Sequence, residues 1–356
     1  MNGGMSFVDV DKDYTSEDVY YMTLAINEAK KGSFTTKPNP AVGCVIVKNG
    51  LIIGRGFHPK SGLPHAEIYA LQDAQNQGFD TQGATAYVTL EPCSHTGKTP
   101  PCADALIKSG ILRVVIACLD VNPLVSGNGV KKLMDAGVVV TVGVCEKEAY
   151  ELNVGFLTAM QMDRPYVRLK MAMSLDGRIA MQSGESKWIT GNEAREDVQK
   201  LRAKSGAIIT GSGTIIADDP ALNVRSLCLG VDLSEIIQPK IVIVDRRNLL
   251  SDDSYYQVFQ CHDTLLWRGD LPELLTYLKS VQCYDVLVES GGRLAAAFIE
   301  QDLVDELVVY QAPCILGAKA YPAFDLVLSK LSEQKRFKMV SHERIGGDLK
   351  LVFKRI

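Results

Sequence analysis

One histidine, one glutamate and two cysteines constrain this chain more than any other feature. His65-Ala66-Glu67 opens one amphipathic stretch, and Pro92-Cys93 is followed by Cys102 at the head of another. An imidazole and two thiolates are the three protein ligands of an open zinc site, whose fourth tetrahedral position is left to water. Glu67, two residues from the histidine, is placed to carry protons and is not a ligand.

The surrounding sequence places these residues on elements. Ser16 is the expected cap of a first helix whose apolar face is Val19, Met22, Ala25, Ile26 and Ala29, ending at Gly32. Cys44–Val47, Asn49-Gly50 and Leu51–Ile53 read as a hairpin. The stretch from His65 to Gln77 is helical in pattern, with Ile68, Leu71 and Ala74 inward and Gly78 as terminator. Thr85–Leu90 is a buried strand running into Glu91-Pro92-Cys93, Cys102–Ile107 starts a helix closed by Gly110, and Arg113–Ala117 is the next strand. Strands alternating with helices predict a layered α/β domain.

His65 and Cys102 therefore sit where helices begin. Free backbone N–H groups and the positive end of the macrodipole favour a thiolate and a metal-bound hydroxide there. Water activated by zinc, with a carboxylate beside it, is suited to hydrolytic removal of an exocyclic amine from a nucleobase ring. A structural zinc site is the bland alternative. It requires a fourth ligand, and His95, two residues from Cys93, is the residue to propose for it. Cys44 and Cys118 lie in apolar strands and read as ordinary buried residues.

At 356 residues the chain is too long for one ordinary core, which predicts two domains. A net charge of −4 without dense Lys or Arg runs argues against a long nucleic acid as partner. No stretch reaches bilayer-spanning length, and the acidic opening residues lack a leader's pattern, so neither membrane nor secretion is expected. Nine scattered cysteines do not suggest a disulfide framework, and thiolate ligands suit a reducing cytoplasm.

In the second half, Glu146–Gln161 reads as one helix, broken by Met162-Asp163-Arg164-Pro165, where the domain boundary is placed. Extended runs at Tyr166–Ser174, Ala207–Thr210, Lys240–Asp245 and Asp285–Glu289 alternate with helical segments, one carrying Arg195 and Arg202. Ser290-Gly291-Gly292 turns the last strand into a helix, and a glycine pair there lets backbone N–H groups approach a phosphate. It is not the Gly-x-Gly-x-x-Gly fingerprint, and a Rossmann domain is not expected.

Eight residues separate Cys93 from Cys102, and the intervening Ser94-His95-Thr96-Gly97-Lys98-Thr99-Pro100-Pro101 is distinctive. With Pro38-Asn39-Pro40-Ala41-Val42-Gly43 upstream and Asn122-Pro123 through Gly127-Asn128-Gly129 downstream, the first half resembles the deaminase half of the bacterial bifunctional riboflavin-biosynthesis family RibD. The likeness continues from about Tyr20 through the second half. It implies a cytidine-deaminase-like three-layer α/β domain over 14–161 and a dihydrofolate-reductase-like α/β domain over 163–356. It also implies zinc-dependent deamination of a phosphoribosylated diaminopyrimidine, 2,5-diamino-6-ribosylamino-4(3H)-pyrimidinone 5′-phosphate. NADPH-dependent reduction of the product's ribosyl group to ribityl follows.

The same resemblance assigns residues. His65, Cys93 and Cys102 bind zinc, Glu67 transfers protons, and Asn39, His58 and Lys98 contact substrate. An Asn amide suits a pyrimidine edge and Lys98 a phosphate, although His58 and Lys98 also read as solvated loop residues. Ser186, Arg202, Leu222, Arg225 and Glu289 face the second substrate. Ala172, Trp188, Thr214, Asp218 and the run Gly291, Gly292, Arg293, Leu294, Ala295, Ala296, Ala297 face the dinucleotide. On chemistry alone, Arg202 and Arg225 supply cations for a phosphate, Trp188 a wall for a flat ring, and Asp218 or Glu289 a carboxyl group near the reacting carbon, with Asp218 taken as catalytic. Arg246, where relatives are expected to carry a small polar residue, is a candidate clamp for the 2′-phosphate of NADPH.

Two other classes compete. A deaminase acting on a flipped base in RNA or DNA needs a cationic strand-binding surface, which the acidic balance disfavours. A nucleotide-binding module joined to a structural zinc domain is the non-enzymatic reading. A homo-oligomer, a dimer or larger, is expected of a two-domain enzyme of this sort.

Overall fold

The computed structural model describes residues 14–94, 101–121, 126–251, 255–261 and 263–356. The chain divides into two compact units between Gln161 and Met162.

The first unit contains α1 (Ser16–Lys30), β1 (Gly43–Lys48), β2 (Leu51–Phe57), α2 (Ala66–Asn76), β3 (Thr85–Leu90) and α3 (Cys102–Lys108). It continues with β4 (Arg113–Cys118), α4 (Asn128–Asp135), β5 (Val139–Val142), α5 (Glu146–Leu152) and α6 (Val154–Gln161). The sheet order is β2-β1-β3-β4-β5. The β1–β2 hairpin is antiparallel, β1 pairs antiparallel with β3, and β3, β4 and β5 run parallel.

Strand alternation sorts the core into two layers. Cys44, Ile46, Ala86, Val88, Val114 and Ile116 pack with residues of α2, α3 and α4. Val45, Val47, Tyr87, Val115 and Ala117 pack with α1, Ala149 and Leu157 on the other face. The result is three layers, helices on both sides of the sheet.

Several local expectations change. The cap of α1 is Thr15, not Ser16: its hydroxyl accepts from Asp18 N–H while Asp18 accepts from Thr15 N–H, a reciprocal capping box. Val19, expected on the apolar face, is exposed. The inward face of α2 is Ala66, Glu67, Ala70 and Ala74, while Ile68 and Leu71 are half-buried. Glycine explains that choice. A Cβ at Gly54 would lie 2.2 Å from Ala70 O, and one at Gly56 would lie 2.3 Å from Ala66 O. The helix axis sits so close to β2 that only small side chains fit between them. The single helix predicted over Glu146–Gln161 breaks at Asn153 into α5 and α6.

The second unit contains β6 (Tyr166–Met173), β7 (Arg178–Ala180), α7 (Asn192–Lys204), β8 (Ala207–Gly211), α8 (Ser212–Asp218), β9 (Lys240–Val244), α9 (Gln257–Cys261) and β10 (Thr264–Trp267). Next come α10 (Leu271–Ser280), β11 (Asp285–Glu289), α11 (Gly292–Glu300), β12 (Glu306–Gln311), β13 (Tyr321–Pro322), β14 (Phe337–Ile345) and β15 (Asp348–Arg355). The large sheet has the order β10-β9-β8-β11-β6-β12-β15-β14. Its strands from β10 to β12 are parallel, and the β14–β15 hairpin adds antiparallel to β12.

Its core is again double. Val167, Leu169, Ile209, Val286 and Val288 face α10 and α11, while Ile208, Ile241, Ile243 and Leu287 face α7 and α8. Buried Arg168 ties the starts of two neighbouring strands together, with Nη1 2.7 Å from Asp285 Oδ1 and Nε 2.5 Å from Glu306 Oε1. Such pairs specify strand neighbours more than they add stability. Among the described residues, no helix is long and apolar enough to cross a membrane.

Candidate active sites in the two units

In the first unit, His65 is the cap residue of α2, Cys102 is the first residue of α3, and Cys93 follows the end of β3. Their donor atoms lie within 4.8 Å of one another. His65 Nδ1 is 3.3 Å from Cys102 Sγ and 3.7 Å from Cys93 Sγ. Cys102 N–H donates to Cys93 Sγ at 3.3 Å, the helix terminus favouring a thiolate. The Cys93 thiol is held below its ordinary value, first by the hydrogen bond from Cys102 and also by His65, against its own burial.

Glu67 is 3% exposed. Burial raises its carboxyl to about 7, while His65 pulls the other way. Its Oε2 has no hydrogen-bond partner among the described residues. A buried carboxyl oxygen without a partner, beside one imidazole and two sulfurs, fits a site completed by a metal and a water.

The substrate-side expectations divide. Asn39 is half-buried, and its Nδ2 lies 3.0 Å from His58 Nε2. His58 is 2% exposed and its Nδ1 lies 3.0 Å from Pro64 O. Burial lowers the imidazole's pKa, so the neutral ring donates to the Pro64 carbonyl and accepts from the Asn39 amide. His58 thus holds Asn39 in place and is not the solvated loop residue that the sequence also allowed. Lys98, His95, Asn122 and Pro123 lie outside the described residues.

Asn153, at the α5–α6 break, was not legible from sequence. Its Oδ1 accepts from Ala41 N–H at 2.7 Å and its Nδ2 donates to Ala41 O at 2.8 Å. A buried amide thereby pins the segment bearing Asn39, like the next strand of a sheet.

In the second unit, the expected residues gather where neighbouring parallel strands β8, β11 and β6 end. Ala172 is near the end of β6, Thr214 lies on α8 just after β8, and Glu289 closes β11. Ligands of open parallel sheets bind at such carboxyl ends. Ser186 Oγ donates to Asp218 Oδ1 at 2.8 Å, and Lys187 Nζ to Asp218 O at 2.9 Å. Trp188 is 66% exposed, with the Arg195 guanidinium 4.2 Å from its ring centroid. Arg195 is fixed in turn by Thr190 O and the Asn192 side chain.

Arg202 differs from its expected phosphate role. Its Nε and Nη2 reach the two oxygens of Glu289 at 2.6 and 3.0 Å in a buried fork. Lys170, unremarked in the sequence, brings Nζ to 3.7 Å from Glu289 Oε2. Burial works to raise the Glu289 carboxyl, but Arg202 and Lys170 outweigh it and hold it near 2. The Arg225 side chain is exposed, donating to Asn223 Oδ1 at 2.9 Å, and stays available for an anion. Leu222 is buried in the core with φ at 49°, a left-handed turn just after Pro220-Ala221.

The glycine turn is also mixed. Gly291 caps α11, and a Cβ there would meet nothing within 4 Å. Ser290 Oγ beside it is buried without a hydrogen-bond partner among the described residues. Open backbone at a helix start with an orphaned hydroxyl fits a phosphate group. Gly292, Ala295 and Ala296 face inward, the first because Pro322 O would lie 2.4 Å from its Cβ. Leu294 and Ala297 are half-buried, and exposed Arg293 lies 3.5 Å from Asp325. Arg246 pairs with Asp270 at 2.5 Å on the surface.

The comparisons with known proteins follow the same division. Residues 15–118 match the model of the cytidine and deoxycytidylate deaminase zinc-binding region, and residues 165–351 match the RibD C-terminal domain. The Escherichia coli (strain K12) riboflavin biosynthesis protein RibD is 44% identical, over 94% of this chain and 98% of its own. That of Haemophilus influenzae is 43% identical, over 96% of this chain and 98% of its own. The solved structure of Acinetobacter baumannii RibD superposes with a TM-score of 0.88 at 49% identity, covering 96% of this chain and 99% of that one. A Thermotoga maritima diaminohydroxyphosphoribosylaminopyrimidine deaminase/5-amino-6-(5-phosphoribosylamino)uracil reductase gives 0.87 at 37% identity, covering 96% and 99%.

Proposed function

This chain belongs to the RibD family of bifunctional riboflavin-biosynthesis enzymes, a zinc-dependent deaminase joined to an NADPH-dependent reductase, and on that premise we propose how its own residues divide the work. The first unit, residues 14–161, removes ammonia from 2,5-diamino-6-ribosylamino-4(3H)-pyrimidinone 5′-phosphate. The second, residues 163–356, reduces the ribosyl group of 5-amino-6-(5-phosphoribosylamino)uracil to ribityl. The single observation that carries the first reading is the His65, Cys93, Cys102 cluster with the orphaned Glu67 carboxyl oxygen beside it.

His65, Cys93 and Cys102 are the zinc ligands, and zinc supplies a water acidified to near neutrality. Glu67 accepts a first proton at Oε2 from the attacking water and passes it to the ring nitrogen, then takes the second from the added hydroxyl and passes it to the departing amine. Burial, which pushes this carboxyl above the ordinary carboxylate range, favours exchange of a proton in both directions. Asn39, steadied by His58 and by Asn153 through Ala41, reads the pyrimidine edge. Lys98 binds the substrate phosphate.

In the second unit, Trp188 offers its open face to the dinucleotide, with Thr214, Ala172 and Asp218 alongside. Gly291 and the Ser290 hydroxyl hold one of its phosphates. NADPH supplies the hydride that reaches C1 of the opened sugar. Asp218, presented with Ser186, serves proton transfer beside the reacting carbon. The Arg202–Glu289 pair shapes the substrate side with Lys170, and Arg225 meets the phosphate. Arg246 contacts the 2′-phosphate only by leaving Asp270. The enzyme works in the cytoplasm as a homo-oligomer, without nucleic acid or membrane as partner.

The test is to follow ammonia and NADPH together when purified protein is given the diaminopyrimidine phosphate. Ammonia release followed by equal NADPH oxidation supports the reading. Oxidation of NADPH without prior ammonia release contradicts the assigned order.

A further inference from the structure

The mechanism leaves one buried carboxylate unused, and it sits two residues before a zinc ligand. Glu91 is 4% exposed; among the described residues it forms no ion pair, and its carboxylate accepts from four backbone N–H groups. Oε1 accepts from Gly129 at 2.8 Å and Val130 at 3.2 Å, within the first turn of α4. Oε2 accepts from Gly127 at 3.0 Å and Asp120 at 3.2 Å. The cap position of α4 is Gly127, which has no side chain to satisfy those donors, so Glu91, just past the end of β3, does so.

The contact extends to the peptide that leads into Cys93. A Cβ at Gly129 would lie 2.0 Å from Pro92 O, so the α4 start is seated directly on that carbonyl. Glu91 N–H donates to Cys118 O at 3.0 Å, fixing the other side of the residue. Beyond Pro92, Cys93 O accepts from Ala103 N–H at 3.2 Å, and its sulfur accepts from Cys102 N–H at 3.3 Å. The β3-to-Cys93 segment is therefore gripped at Glu91 by β4 and α4, and at Cys93 by α3.

We propose that Glu91 is a positioning residue for the metal site: its carboxylate clamps the α4 start against Pro92 and so sets where the Cys93 sulfur stands. This rests on the reading of Cys93 as a zinc ligand. Groups that orient ligands from behind commonly govern metal affinity by about 10–100-fold. Glu91→Gln keeps the shape but turns one acceptor into a donor aimed at backbone N–H groups. Gly129→Ala keeps the carboxylate's chemistry and pushes first on Pro92 O, 2.0 Å from the added Cβ, and then on Glu91 Oε1 at 3.1 Å.

The experiment measures zinc release from the full-length protein to a chromogenic chelator, with NADPH-dependent reduction and thermal melting as controls for folding. Wild-type protein that holds no zinc removes the ligand reading itself, independently of Glu91. Given zinc-bearing wild type, Glu91→Gln and Gly129→Ala are expected to release zinc about 10-fold faster or more, with reduction unchanged. If Glu91→Gln does not accumulate, Gly129→Ala carries the comparison. Release at the wild-type rate from either folded variant, or collapse of the first unit in both, assigns Glu91 to the framework alone and overturns the proposal.

Discussion

Arg202 and Glu289, 87 residues apart in sequence, meet in a buried two-bond fork at the end of β11, with N–O distances of 2.6 and 3.0 Å. Lys170 on the neighbouring strand approaches the same carboxylate. Removing Arg202 leaves the largely buried Glu289 carboxylate with only Lys170, at 3.7 Å, as a described cationic partner. Arg202→Ala should therefore destabilise the second unit by about 3–5 kcal/mol, read from urea unfolding. Glu289→Gln, which still accepts a hydrogen bond, should cost less. Equal and small losses for both would mean that the pair is solvated in solution.

The two reactions should separate by single substitutions. Glu67→Gln should retain zinc, lose ammonia release by more than about 100-fold, and reduce the deaminated substrate normally. Asp218→Asn should do the reverse. Deamination at the ordinary rate in Glu67→Gln would remove the proton-carrying role.

Trp188 and Arg195 should act together on the cofactor. The guanidinium covers one face of the indole, and such a stack at an exposed site is worth about 0.5–1 kcal/mol. Arg195→Ala should raise the KM for NADPH by about 2–5-fold with kcat little changed. In a Trp188→Ala background the same substitution should have almost no effect. Additive losses would show that Arg195 acts independently of the ring.

Acid should expose a third relationship. Burial would raise the Asp18 carboxyl, but hydrogen bonds from Arg113 and Thr15 outweigh it and hold it at about 2. The folded value lies below the unfolded one, so the contribution, about 2 kcal/mol, is complete above about pH 4 and fades as pH falls through 2. The stability difference between wild type and Asp18→Asn should narrow over that window. A difference independent of pH would contradict it.

What was readable in advance was local chemistry. The metal donors stand out because a helix start or a strand end fixes each within a few residues of its own motif. The open Trp188 face and the glycine turn at Gly291 are likewise short-range features. Pairings across the fold were not readable. Nothing near Arg202 announces that its charge is spent on Glu289, and nothing near Asn153 announces that it breaks a helix to hold Ala41. Of the inward face expected for α2, Ala74 is buried and Leu71 packs partly against the core, but the fully buried positions also include the small Ala66 and Ala70 where the larger Ile68 was expected. Directly against Gly54 and Gly56 the helix presents Ala66, Ala70 and Ala74, where larger side chains would not fit. His58 was assigned to the substrate by the resemblance; its burial and two ring partners, which the sequence did not announce, rule out the solvated-loop reading and make it a brace for Asn39.

Removal and return of zinc is the most direct test of the central claim that His65, Cys93 and Cys102 leave one coordination position open for water. Protein stripped by chelator should release no ammonia from the diaminopyrimidine phosphate, yet still oxidise NADPH with the deaminated substrate. One equivalent of zinc per chain should restore ammonia release. Full deamination by metal-free protein would contradict the account.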